Sequence, residues 1–293
     1  MALWQWLSRR EHERWMSNHA GAWLDLMPTH VSCQAPARSF QLALAMRLGA
    51  ELVELADVPL AERMCGCGAV HDVFGRHPSS CKAGNRHGLW TVRHDALQRS
   101  LEWVARSVGR SVRVVGRVRW FSAAALRAAG RTWDQPLFAD LVLPHYRAPG
   151  RHLYIDAAVT TPQALGPIGA NPSACDRGGV AAELRVGKKH AKYRQAVLAM
   201  GGSFRAAVLD RFGACSDDLV GLVRELCGDG LIDAESDEWS FTAASRRVFY
   251  MQRVVFAGVM ADAAMVETAL DLDVACTHPD ALRGAGGAGA GAA

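Results

Sequence analysis

Apolar residues recur at helical spacing through the first sixty positions: Trp15, Trp23, Leu24 and Leu26, then Phe40, Leu42, Leu44, Met46 and Leu48. Met27-Pro28-Thr29-His30 divides this stretch into two helices, because proline lacks a donor and restricts the residue before it. A further helix is predicted where Leu89, Val92, Ala96, Leu97, Leu101, Val104 and Val108 form one stripe, stopped by Gly109. The period then changes to two. Across 111–121, Val112, Val114, Val118 and Trp120 fall on one face and Arg113, Arg117 and Arg119 on the other, with a kink at Gly116. Two more strands follow at 138–143 and 152–160, closed by Pro144 and Pro162, then a helix over 180–200 ended by Gly201-Gly202 and a strand at 203–209. The order is α-β-β-β-α-β, of the α+β or α/β class. The remainder reads as helical to about Ala281, followed by a flexible Gly/Ala tail. Five regions result: helical 1–60, a Cys/His/Gly-rich 61–88, mixed 89–227, a helical extension 228–281, and the tail 282–293.

The 293 residues are 50% hydrophobic and 21% charged, which excludes a wholly disordered chain. Val254–Ala261 is too short to span a bilayer before Asp262 and Glu267 interrupt it, and no membrane partner is expected. Early Arg9, Arg10, Glu11 and Glu13 leave no run of signal-peptide type, so an intracellular protein is expected. The formal charge of +4 is unevenly spread. Eleven basic residues face two acids between Lys82 and Arg131, seven face one between Arg185 and Arg211, while 217–238 holds eight acids against Arg224. Such clustering suits a polyanion, although a solvated, partly self-neutralised surface has the same composition.

Asp140 and Asp156 each stand as the single acid of an apolar strand, and a charge there needs a partner or a metal ion. If the strands are neighbours, the two carboxylates could hold Mg²⁺ or Mn²⁺, hard ions that favour oxygen ligands. The following helix carries Lys188, Lys189, Lys192 and Tyr193, with Lys189 and Lys192 on one face. A second reading is open: a solvated lysine face, with each aspartate bonded locally.

Cys65, Cys67, His77 and Cys81 offer three thiolates and an imidazole, a donor set that Zn²⁺ takes in closed structural sites. The single residue between Cys65 and Cys67 is shorter than the usual spacing, and His71 or His87 could replace His77. Five other cysteines, at 33, 175, 215, 227 and 276, lie alone.

The order αβββαβ with these acids resembles the PD-(D/E)xK, or restriction-endonuclease-like, superfamily. More closely, the chain resembles the C-terminal part of polyproteins of site-specific non-LTR retrotransposons, in which a Cys-Cys-His-Cys knuckle precedes such an endonuclease. The matching pieces include Cys65-Gly66-Cys67-Gly68, Asp72-Val73-Phe74-Gly75-Arg76-His77, Cys81, Ala139-Asp140-Leu141-Val142-Leu143, Ile155-Asp156-Ala157-Ala158-Val159-Thr160 and Lys192-Tyr193, in family order over about residues 20–227. The resemblance implies a restriction-endonuclease-like core with a helical N-terminal region, a zinc knuckle and a helical C-terminal extension. It implies that Asp140 and Asp156 bind Mg²⁺ or Mn²⁺, and that Lys189 or Lys192 replaces the strand lysine, whose position is Ala158. Tyr193 would support the site or the DNA strand. Target DNA would be nicked, in the nucleus; the alternative is an inactive zinc-containing module binding DNA or RNA. Ala139 stands where the family has proline, and Asp210 where a glutamate is common. No Tyr-x-Asp-Asp polymerase sequence is present.

Arg113, Arg117, Arg119 and Lys188 are candidate phosphate contacts. Trp90 and Trp103 fall near the apolar helix face and read as core residues. His87, His94, His145 and His152 are isolated along the chain and are given no catalytic role.

Overall fold

The computed structural model describes residues 21–26, 33–81, 86–114, 121–161, 179–227, 243 and 245–277. The expectations at Trp15, at Met27–His30, over the 115–120 segment with Arg117 and Arg119, and for the 282–293 tail lie outside them. In chain order the elements are α1 (Ala37–Leu48), α2 (Val53–Ala56), α3 (Arg76–Ser80), α4 (Arg86–Ser107), β1 (Arg113–Val114), α5 (Ala123–Ala128), β2 (Leu141–Leu143), β3 (Leu153–Thr160), α6 (Val180–Ala199), β4 (Ser203–Asp210), α7 (Asp217–Cys227) and α8 (Arg246–Thr277). The protein is mixed α+β. No described helix is long and apolar enough to cross a membrane. The chain divides into two compact units: Ala35–Val92 with the residues from Met260 on, and Arg93–Val259 with the residues up to Gln34.

The larger unit is built on a four-stranded sheet of order β1-β2-β3-β4. β1 and β2 are antiparallel, as are β2 and β3, while β3 and β4 are parallel. A parallel pair needs a crossover, and α6 supplies it. The first six residues of β3 are all buried, which is why it reads as a nearly continuous apolar run rather than as an alternation. On one face Phe121, Leu126, Val142, Tyr154, Tyr193 and Val197 form a packed cluster. Phe121 stacks on Tyr154 at 5.0 Å between ring centroids, and Tyr193 on Phe204 at 4.9 Å. A neighbouring cluster joins Ala158, Ala182, Val186, Ala206 and Val208.

Three details differ from the sequence pattern. The segment 123–128 forms α5, capped by the Ser122 hydroxyl accepting from the Ala125 N–H at 3.2 Å. Six residues are too few for a helical stripe to register in a window of eleven or more. Val114 is exposed alongside Arg113, whereas Val112, on the same predicted face, is buried; among the described residues β1 pairs with β2 at the edge of the sheet. β2 begins at Leu141 rather than at Phe138, although the Asp140 N–H still donates to the Ile155 carbonyl at 2.9 Å. In α4, Leu97, Leu101 and Val104 are buried as the stripe predicts, but Val92 is exposed. Gly109, at φ 73°, ends that helix, and the Arg110 N–H returns to the Ala105 carbonyl.

The smaller unit carries α1, α2 and α3. Arg38 pairs with Asp271 at 3.0 Å, and the Ser39 hydroxyl donates to Glu267 at 2.8 Å. Gly75, at φ 68°, lies under Leu52 and Met46, where an added Cβ would stand 3.1–3.2 Å from their side chains.

Gly202 begins the return from α6 into β4, and a Cβ there would stand 2.8 Å from both the His152 carbonyl oxygen and the Tyr154 ring. Backbone and a packed aromatic cannot step aside, so Gly202→Ala is expected to cost about 1–3 kcal/mol. The check is the urea midpoint of the full chain.

Candidate functional site

Asp140 stands immediately before β2, and Asp156 lies inside β3. Leu141 faces Ile155 and Val142 faces Tyr154, and the paired ladder begins there; one residue earlier the Asp140 N–H also donates to the Ile155 carbonyl, at 2.9 Å. The Asp140 carboxylate accepts from the Ala157 N–H at 2.6 Å, which ties it to the residue after Asp156. Asp156 is the more buried, its side chain only 8% exposed.

α6 brings three side chains to the same place. Lys189 Nζ donates to Asp156 Oδ2 and, at 3.2 Å, to the Ala157 carbonyl. The Tyr193 hydroxyl donates to the Phe138 carbonyl at 2.5 Å, and Asp156 Oδ1 lies 3.3 Å from that hydroxyl. Lys192 Nζ donates to the Tyr193 oxygen at 3.0 Å. The two lysines therefore reach the acid by different routes. Lys189 meets the carboxylate itself, and Lys192 meets it through the tyrosine.

Electrostatics follows from this crowding. Burial pushes the Asp156 carboxyl above the usual aspartate range, the Lys189 charge opposes that, and the Asp140 charge adds to it. Burial likewise raises the Tyr193 phenol, reinforced by Asp156 and Asp140. Desolvation lowers the Lys192 ammonium, with Asp156 pulling the other way and Lys189 and Arg131 adding to the fall.

His94, isolated along the chain, meets Asp140 in space. Its Nε2 lies 3.1 Å from Asp140 Oδ2, and its Nδ1 3.2 Å from Asp95 Oδ1. The hydrogen bond to Asp140 pushes its pKa up to about 9, against an opposing desolvation. The one signal in the sequence is the adjacent pair His94-Asp95 inside the helix preceding the strands; isolation along the chain conceals proximity in space. His145 and His152 instead bond within the β2–β3 hairpin, where the His145 ring accepts from the Gly150 N–H at 3.0 Å. The side chain of His87 lies outside the described residues. Asp210 is fully buried and serves its own turn, accepting from the Phe212 and Ala214 N–H groups at 2.8 Å each.

Of the candidate phosphate contacts, Arg113 and Lys188 are exposed, on β1 and α6. Arg185 and Arg194 are also exposed on α6. The acids of α7 neutralise a different set: Asp218 and Glu225 pair with Arg205, Asp218 with His190, and Glu225 with Arg147. Trp103 packs edge-on to Tyr250 at 5.4 Å, beneath the Arg253 guanidinium at 3.4 Å, which fits a packing role.

In the smaller unit, ligand atoms of Cys65, Cys67, His77 and Cys81 all lie within 4.8 Å of one another and could hold a metal ion. Cys65 Sγ is 3.6 Å from Cys81 Sγ, and Cys67 Sγ is 3.4 Å from His77 Nε2. A tetrahedral ion bound to sulfur at about 2.3 Å separates its sulfur ligands by roughly 3.8 Å, so the spacing fits. The short Cys-Gly-Cys interval works because the chain turns tightly there. The Gly68 N–H donates to the Cys65 carbonyl at 2.8 Å, Gly68 takes φ 84°, and the Cys67 N–H points at Cys65 Sγ. Asp72 positions the other half, its carboxylate accepting from the His77 N–H at 2.6 Å and the Phe74 N–H at 3.1 Å. His71 is buried edge-on to the His77 ring, outside the ligand cluster.

No protein-family model matches the chain, and no curated protein does. What its sites can do therefore rests on their geometry.

Elemental analysis of the purified chain is expected to find one tightly held metal ion at the cysteine cluster, lost in Cys65→Ser and in Cys81→Ser. Tyr193→Phe is expected to cost about 1 kcal/mol, because the Phe138 carbonyl loses its donor; chemical denaturation measures it.

Proposed function

We propose that this chain is a metal-dependent DNA endonuclease of the restriction-endonuclease-like class, carried behind a zinc knuckle and derived from a retroelement. One observation carries the reading: the Asp140 carboxylate accepts from the N–H of Ala157, the residue after Asp156, and a helix-borne lysine reaches Asp156, the more buried of the two acids. The run β2-β3-α6-β4, with β3 and β4 parallel, and the exposed basic residues of α6 support it.

The donor set fits a hard divalent ion. Two carboxylates with lone pairs to offer are what Mg²⁺ or Mn²⁺ would take, and the ion when bound supplies Lewis-acid stabilisation of a phosphoryl oxygen. Asp140 and Asp156 would hold that ion. Lys189 contacts Asp156 and is placed to orient a water or to compensate charge gathering on the phosphate. Tyr193 fixes the Asp156 carboxyl against the Phe138 backbone, while Lys192 offers its ammonium at the outer edge. Arg113 and Lys188 would meet backbone phosphates. At the knuckle, three thiolates and one imidazole suit Zn²⁺ in a closed, structural role.

The direct Lys189–Asp156 pair favours a second reading, a catalytically inactive zinc-containing module that binds DNA or RNA. A closed ion pair neutralises the acid without any ion.

Nicking of supercoiled plasmid with Mg²⁺ or Mn²⁺ separates the two. Activity is expected to fall at least a hundredfold in Asp140→Ala and in Asp156→Ala, with DNA binding retained. Salt-sensitive binding with no nicking under either ion would establish the inactive module. Nicking that survived both substitutions would refute the site.

A further inference from the structure

Besides the three side chains of α6, an imidazole reaches the carboxylates from a different element. His94 lies on α4, and its Nε2 is 3.1 Å from the same Asp140 oxygen that accepts from the Ala157 N–H. Its Nδ1 is held by Asp95 at 3.2 Å. Asp95 is the next residue on the helix, and the His94 side chain is one-third exposed, so the ring is oriented by one carboxylate through Nδ1 and meets Asp140 with Nε2. A histidine with one nitrogen on a carboxylate and the other aimed at an acidic cluster is the arrangement that metal-ligating histidines adopt, because the second bond fixes tautomer and ring direction.

We infer that His94 Nε2 is a nitrogen ligand of the ion held by Asp140 and Asp156, and that this ion is of the transition-metal class, Mn²⁺ rather than Mg²⁺. The inference rests on the reading that the two aspartates hold a divalent ion. Mg²⁺ takes oxygen donors in a strict octahedron and binds imidazole poorly, whereas Mn²⁺, though also an oxygen-seeking ion, accepts a nitrogen beside carboxylate oxygens. On coordination the Nε2 lone pair goes to the ion and its proton leaves to solvent. The bond to Asp140 already sets the nitrogen within reach of an ion on that carboxylate: a ligand oxygen and nitrogen each about 2.1 Å from one ion stand roughly 3 Å apart in an octahedron.

The test uses the full chain with its cysteine cluster loaded, Mn²⁺ alone as probe, and electron spin-echo envelope modulation as readout. Wild type is expected to show nitrogen-14 coupling to Mn²⁺. His94→Gln keeps a donor for Asp140 but loses the imidazole, and His94→Ala loses both. Each is expected to lose the coupling and to weaken Mn²⁺ binding about tenfold or more, with unchanged circular dichroism. Mg²⁺ is expected to displace Mn²⁺ poorly from wild type and readily from His94→Gln. Absence of nitrogen coupling, its persistence in His94→Gln, or equal competition by Mg²⁺ would overturn the inference. The two proposals fail separately. Plasmid nicking that depends on Asp140 without nitrogen coupling would leave the endonuclease reading intact and remove His94 from it. Nitrogen coupling without nicking would keep the ligand and remove the enzyme.

Discussion

The bond from the Ala157 N–H to the Asp140 carboxylate is the contact on which the candidate site depends. Asp140 lies just before β2, its own N–H on the Ile155 carbonyl, and its side chain holds the backbone of β3 one residue after Asp156. That contact brings two negative charges together in a place from which water is largely removed, an arrangement that costs free energy unless cations compensate. The compensation comes from helices. Lys189 reaches Asp156 from α6, and His94 reaches Asp140 from α4.

Much of this is legible in the amino-acid order alone. Asp140 and Asp156 are conspicuous because an acid inside an apolar strand has no ordinary explanation, and the four knuckle ligands because three cysteines and a histidine fall within seventeen positions. Spacing does not choose between His71 and His77. The backbone decides it, through the Asp72 carboxylate that fixes the start of α3 around His77. Nor does spacing separate Lys189 from Lys192. Both lie on a helix face that reaches the sheet, and only the packing of Tyr193 between Phe121 and Phe204 turns Lys192 onto the phenol and leaves Lys189 to the acid.

The features that escape the pattern have a common cause. α5 does so because a six-residue helix answers to tertiary neighbours rather than to a local period. His94 does so because its meaning lies in a contact forty-six residues away. By contrast, the knuckle depends on local geometry, on tight turns at Gly68 and Gly75, and its donor set is accordingly written almost completely in contiguous sequence.

Ala158 stands two residues after Asp156, on the same face of β3. Here that face is filled: Ala158 packs with Ala182, Val186, Ala206 and Val208, all small or β-branched, so α6 lies close over the strand. A lysine at 158 would have to drive its stem through that contact, an overpacking that cores tolerate poorly. The close approach that excludes a strand lysine also brings the next turn of α6 within reach of Asp156. Val186, Lys189 and Tyr193 follow at intervals of three and four, one face of the helix, with the valine and the tyrosine buried against the sheet and the lysine directed between them to the carboxylate. The small side chains at 158, 182 and 206 are the condition under which Lys189 reaches Asp156 from this helix.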